Sequence, residues 1–117
     1  MKKAFTLPTC KTCQRIFDDL QPAQQGCEVV DIKAEGISAE DLDAMKAHVG
    51  SYEALFSRRA MKFRSMGLAD KTLSEQDYRN LILEEYTFLK RPVFLTEEGV
   101  TVGSAQAEVA RARELIS

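Results

Sequence analysis

Apolar residues recur along this chain in two periods, and the switches between them mark out its elements. Lys3 to Leu7 alternates, with Phe5 and Leu7 on one face, and reads as a strand that Pro8 closes. From Lys11 to about Gln25 the residues Ile16, Phe17 and Leu20 fall at helical spacing, and Gly26 supplies a stop. Cys27 to Ile32 is a second strand, with Val30 and Ile32 on one face. Gly36 and Ser38 then mark a loop and a helix start; Ser38 with Asp41 resembles a capping box, and Leu42, Met45 and Val49 form the apolar stripe. Gly50 interrupts that helix. Ser51 to Gly67 reads as one or two short helices carrying Arg58, Arg59, Lys62 and Arg64, and Ser74 caps the next helix, with Tyr78, Leu81 and Ile82 turned inward. Pro92 introduces a strand from Val93 to Leu95, and the turn Glu97-Glu98-Gly99 leads to a partner strand, Val100 to Val102. Ala105, Val109, Ala112 and Ile116 give a final helix.

The order is strand, helix, strand, a block of helices, a hairpin and a last helix. A right-handed crossover makes the first two strands parallel, whereas the hairpin, lacking a crossover, must extend the sheet antiparallel. That is the plan of the thioredoxin fold: α/β, a mixed four-stranded sheet with helices on both faces and an all-helical insertion at about 38–88. With 117 residues, 1–117 reads as a single domain. A chain of this length buries roughly two-thirds of its unfolded surface and needs neither disulfides nor metal merely to fold.

Composition narrows the function classes. The 16 basic and 18 acidic residues leave a net charge of -2, which argues against direct nucleic-acid binding by the domain as a whole. Met1-Lys2-Lys3 imitates the basic start of a signal peptide, but the apolar stretch Ala4 to Leu7 is broken by Pro8 and no other segment reaches membrane-spanning length. The expectation is a soluble, cytoplasmic, monomeric protein. In that compartment thiols stay mostly reduced, so Cys10 and Cys13 are reactive or metal-binding before they are structural.

Cys10 sits in the turn after the first strand, at the helix N-terminus, where unsatisfied N–H groups and the helix dipole favour an anion such as a thiolate. Lys11 is adjacent and Arg15 follows, and both should lower the Cys10 pKa. The three-residue offset brings Cys13 to the same face, within reach of a disulfide. Cys10 is then the nucleophile and Cys13 the resolving partner. Two inert thiols and half a zinc site are the other readings; zinc is disfavoured because Cys27 and His48 are single and distant, and no metal ligand set is assigned. Cys27 reads as a small buried apolar residue and His48 as an ordinary polar residue near a helix end.

Three segments carry a family resemblance: Pro8-Thr9-Cys10-Lys11-Thr12-Cys13; Glu53-Ala54-Leu55-Phe56-Ser57-Arg58-Arg59 running to Gly67-Leu68; and Leu89-Lys90-Arg91-Pro92-Val93. Together they resemble the successive signatures of the arsenate reductase and Spx family, over nearly the whole chain. The resemblance implies a thioredoxin-like fold with a helical insertion and a glutaredoxin-like nucleophile at Cys10. It matches Arg59, with Arg58 one position away in an open register, to the first of three oxyanion-gripping arginines, and Arg91 to the second. The position of the third holds Ser104, which removes a charge-assisted contact and argues against arsenate as substrate. Pro92 falls where thioredoxin-like folds carry a cis-proline, so the Arg91-Pro92 bond is expected to be cis. Cys13 and Gly50 are similar to features of Spx-type regulators, which bind the RNA polymerase alpha subunit, although a glycine ending a helix is also ordinary.

The favoured expectation is a glutaredoxin-like thiol-disulfide oxidoreductase with catalytic Cys10 and Cys13. Lys11, Arg59, Arg91 and Pro92 form its substrate-binding set. No cofactor is expected to be bound; glutathione or another thiol reductant serves as co-substrate. The alternatives are an Spx-like redox-sensing regulator that binds the RNA polymerase alpha subunit, and an arsenate reductase.

Overall fold

The computed structural model describes residues 1–117 and resolves two compact units, Met1–Glu35 with Arg91–Ser117, and Gly36–Lys90. The first unit contains the sheet, whose strands are β1 (Lys2–Thr6), β2 (Glu28–Asp31), β3 (Val93–Thr96) and β4 (Val100–Val102) in the order β2-β1-β3-β4. As the connections require, β1 and β2 pair in parallel, whereas β3 pairs antiparallel with both β1 and β4.

Register places Ala4 opposite Phe94 and Phe5 opposite Val93, so alternate side chains serve two faces. Both are buried, with Ala4 and Phe94 on one and Phe5, Val30, Val93 and Leu95 on the other. The Ala4 face is covered by α1 (Lys11–Leu20) and α6 (Gln106–Ile116): Ile16, Leu20, Ala112 and Ile116 share one core cluster with Ala4, Phe94 and Cys27. Each buried isoleucine, leucine or phenylalanine of this cluster contributes about 1.5–3 kcal/mol. The outer edges of the sheet are occupied by carboxylates. Glu108 accepts from the Val102 N–H at 2.9 Å, and Glu35 from the Asp31 N–H at 3.2 Å, leaving fewer free groups for another strand to pair with.

The second unit, Gly36–Lys90, is all-helical apart from one isolated bridge. It holds α3 (Ala39–Val49), α4 (Met61–Ser65) and α5 (Glu75–Glu84), joined by short 3₁₀ turns. Ser38 caps α3 by accepting from the Asp41 N–H, and Ser74 with Asp77 closes a full capping box on α5. Gly50, at φ 95°, ends α3 in the left-handed conformation that glycine adopts without steric cost. The ends of the unit are stitched by the Phe56–Leu89 bridge and by the Lys90 N–H donating to Leu55 O at 2.8 Å. Over this stitch Phe56 stacks on Phe88 at 4.9 Å and meets the edges of Tyr78 at 4.9 Å and Phe63 at 6.0 Å.

Besides one-residue shifts at the ends of β1 and β3 and at the start of β2, three boundaries differ from the sequence reading. Helix α1 stops at Leu20, where Gln21 turns left-handed at φ 50°, and Pro22–Gln25 continues only as a 3₁₀ turn. Ile32 leaves the strand to open a short helix, α2 (Ile32–Glu35), because the Asp31 carboxylate accepts from the Lys33 and Ala34 N–H groups and caps it. Ala105 lies exposed at the N-cap of α6 and is not part of its buried stripe. No helix is long and apolar enough to cross a membrane.

Candidate functional site

The loop between β1 and α1 presents Cys10. Its N–H donates to Leu7 O at 2.9 Å, closing a turn over Pro8 and Thr9, and its own carbonyl accepts the first helical bond, from Gln14 N at 3.1 Å. With φ -89° and ψ 111°, Cys10 is the N-cap of α1. The Gln14 side chain latches the loop from behind, its Nε2 donating to Pro8 O at 2.7 Å. No motif in the sequence announced that latch; only the position of Gln14 on the turn beside Cys10 hinted at it.

Cys13 follows at the third helical position, fully buried, while Cys10 remains partly exposed, and both are free thiols. Their titrations diverge. Partial burial of Cys10 works against its thiolate, but the N–H and thiol of Cys13 and the Arg91 guanidinium together outweigh it and hold the Cys10 pKa below the ordinary value of 9.0. The sulfur closes no ordinary side-chain cap. The Cys13 N–H therefore acts on it as a looser polar contact. Cys13 moves the other way, pushed up to about 11 by burial and by hydrogen bonding to Cys10. Cys27, beneath the sheet edge and packed with Ala4 and Ile16, is also pushed up by burial and is an unreactive core thiol.

Among the residues singled out from sequence, Cys10, Cys13 and Arg91 come together within the first unit. The cation acting most strongly on the Cys10 sulfur is Arg91; Lys11 and Arg15 lie exposed on the first turns of α1. The Arg91-Pro92 peptide bond is cis, as the position of Pro92 led us to expect. Pro92 itself is buried, and its carbonyl accepts from Gly103 N at 2.9 Å. Ser104 is exposed in the turn between β4 and α6.

Arg58 and Arg59 belong to the second unit, and the two guanidiniums are not equivalent. Arg58 donates to Glu53 Oε2 and to the Tyr78 hydroxyl, each at 2.8 Å, with its guanidinium carbon 5.7 Å from the Tyr78 ring centroid. Arg59 is exposed and has no ion pair or hydrogen bond. Of the two, Arg59 is the guanidinium left available to a ligand. His48 is exposed in the last turn of α3, and no group of three or more His, Cys, Asp or Glu side chains comes together as a metal site.

The chain is 26% identical over 112 residues to the global transcriptional regulator Spx of Enterococcus faecalis, covering 95% of this chain and 85% of the relative. It is 28% identical over 102 residues to the protein YusI of Bacillus subtilis, covering 85% of this chain and 86% of the relative. Among solved structures, an arsenate reductase from Vibrio cholerae superposes with a TM-score of 0.78 at 17% identity, over 95% of this chain and 96% of that one, a likeness of fold. The family model described as the ArsC family matches residues 5–112. Because that match spans nearly the whole sequence, the protein belongs to the ArsC family.

Proposed function

We propose that this protein is a glutaredoxin-like thiol-disulfide oxidoreductase in which Cys10 attacks and Cys13 resolves. The opposed titration of the two thiols carries the reading: a nucleophile must be thiolate at neutral pH, and a resolving thiol can wait protonated. The Cys10 thiolate attacks one sulfur of a substrate disulfide, that S–S bond breaks, and the departing thiolate takes up a proton. Cys13 then gives up its proton and attacks the Cys10 sulfur of the mixed disulfide. The second substrate thiol leaves, having taken that proton, and a Cys10–Cys13 disulfide remains. Two electrons have passed from the protein thiols to the substrate. A low-molecular-weight thiol of the glutathione class restores both thiols by the reverse exchange and is itself oxidised.

In this scheme Arg91 stabilises the Cys10 thiolate before attack and receives an anionic group such as a glutathione carboxylate. Lys11 and the backbone around Pro92 complete the substrate-binding set. The test is turnover of a small disulfide with glutathione as reductant. Activity should vanish in Cys10→Ser, and Cys13→Ser should accumulate a mixed disulfide on Cys10, visible by intact-mass spectrometry. A Cys10→Ser protein with full activity sinks the proposal.

The likeness to the Spx regulator of Enterococcus faecalis favours a second reading, in which the Cys10–Cys13 disulfide controls binding to the RNA polymerase alpha subunit. Capture of purified alpha subunit that depends on the redox state of the pair, without turnover of disulfides, would establish it over the first. Arsenate is disfavoured as substrate by Ser104, since a lost charge-assisted contact costs about 1.5–3 kcal/mol. Ser104→Arg should raise arsenate turnover if that register holds.

A further inference from the structure

Within the second unit, the segment around α4 lines a half-open cavity of about 820 Å³. Its lining combines two kinds of group. Arg59 and Arg64 supply positive charge, while Met61, Phe63 and Ala69 supply apolar surface. Two other cations of this segment are already spent: Arg58, which also lines the cavity, is tied to Glu53, and Lys62 to Glu85, both at 2.8 Å. Arg59 and Arg64 have no carboxylate partner, so the mouth carries two uncompensated positive charges.

The apolar side is equally unfinished. Met61 is 88% exposed, while Phe63 is anchored edge-on against Phe56. Methionine at such a surface adapts its shape to an apolar guest. Size then limits the guest. One water claims about 30 Å³ of liquid, so a simple oxyanion equal to a few waters would leave most of this space empty. The cavity lies in the range of pockets that hold ligands with substantial apolar mass, about 300–1,000 Å³.

We propose that this cavity docks an acidic segment of another protein, seating its apolar side chains against Met61 and Phe63 while flanking carboxylates meet Arg59 and Arg64. Charge complementarity selects the acidic partner, and fully formed carboxylate–guanidinium contacts give it orientation. The docking involves neither cysteine; it assigns Arg59, which the sequence places in the substrate-binding set, to this cavity instead.

The experiment uses the full chain carrying Cys10→Ser, so that no mixed disulfide can form, and follows backbone amide shifts while a synthetic peptide alternating glutamate and leucine is added. Parallel titrations use a lysine–leucine peptide, oligoglutamate and inorganic sulfate. The glutamate–leucine peptide should perturb residues 59–69 selectively, and Arg64→Glu or Met61→Asp, both at exposed positions, should each weaken binding at least about tenfold. Binding should also weaken as salt rises. Failure to bind, perturbation centred elsewhere, or equal binding of oligoglutamate, sulfate or the basic peptide would overturn the proposal. Disulfide turnover by the wild type is scored separately, so the two readings can fail one at a time.

Discussion

The buried Cys13 thiol acts as a polar donor toward the Cys10 sulfur, and the two pKa values move apart: burial first and this interaction second push Cys13 up to about 11, while the interaction helps to lower Cys10. Such a donor favours the Cys10 thiolate while making its own proton harder to remove. Replacing Cys13 should therefore change Cys10 even before any disulfide is made. Cys13→Ala removes the donor and should raise the Cys10 pKa, whereas Cys13→Ser keeps an O–H in place and should raise it less. Thiolate absorbance followed against pH distinguishes the two. Identical titrations in both variants would mean that the side chain of Cys13 has no part in activating Cys10.

Arg91 acts on the same sulfur through charge and a hydrogen bond. Arg91→Ala should move the Cys10 titration upward, and for each pH unit of that rise about tenfold less thiolate is present at any pH below the midpoint. Alkylation by iodoacetamide at about pH 6 should slow accordingly, with Cys10 still labelled before Cys13 or Cys27. Arg91→Lys keeps the charge but not the planar fork, and should fall between wild type and alanine. An alanine variant that alkylates at the wild-type rate would remove Arg91 from the site.

In the helical unit the stability rests on Phe56, which is 1% exposed and touches Phe88, Tyr78 and Phe63 at once. Phe56→Ala should cost about 3–5 kcal/mol, while Phe56→Leu keeps most of the apolar volume and should cost far less. Urea unfolding measures both. A small effect for alanine would show that Phe88 and Tyr78 can collapse into the space.

Local patterns made most of the architecture readable. The β3–β4 hairpin, the Ser38 and Ser74 caps and the Gly50 stop are each encoded within a few neighbouring residues, and all appear where the sequence places them. Competition between signals explains the misses. Gly26 looked like the end of α1, yet Pro22 already disfavours helical backbone at Gln21, and the chain turns there. Apolar alternation carried Ile32 into β2, yet Asp31 could cap a helix and did. At the site, proximity in sequence was the wrong guide to charge. Lys11 is the neighbour of Cys10 along the chain, but the sheet brings β3 beside β1, and with it Arg91 from the far end of the sequence. Pairing between distant strands leaves no local pattern, so only the resemblance at Arg91-Pro92 gave warning of it.

Asp43 on α3 accepts from the Tyr52 hydroxyl at 2.6 Å and from Arg79 Nε at 2.9 Å, with a further Arg79 contact at 3.2 Å, and so links α3 to α5. The hydrogen bond from Arg79, with that from Tyr52, lowers its pKa from 3.8 to about 2. Because the folded value lies below the unfolded one, the stabilising contribution is complete above about pH 4 and is lost as pH falls toward 2. The cluster lies at the surface, so its share is small and should shrink further with salt. Thermal melting between about pH 5 and 2 should therefore fall less steeply for Asp43→Asn than for wild type, with the difference closing at the acid end, where the wild-type carboxyl is also neutral. A constant offset between the two proteins across that window would mean that Asp43 contributes by shape and hydrogen bonding alone, not by its charge.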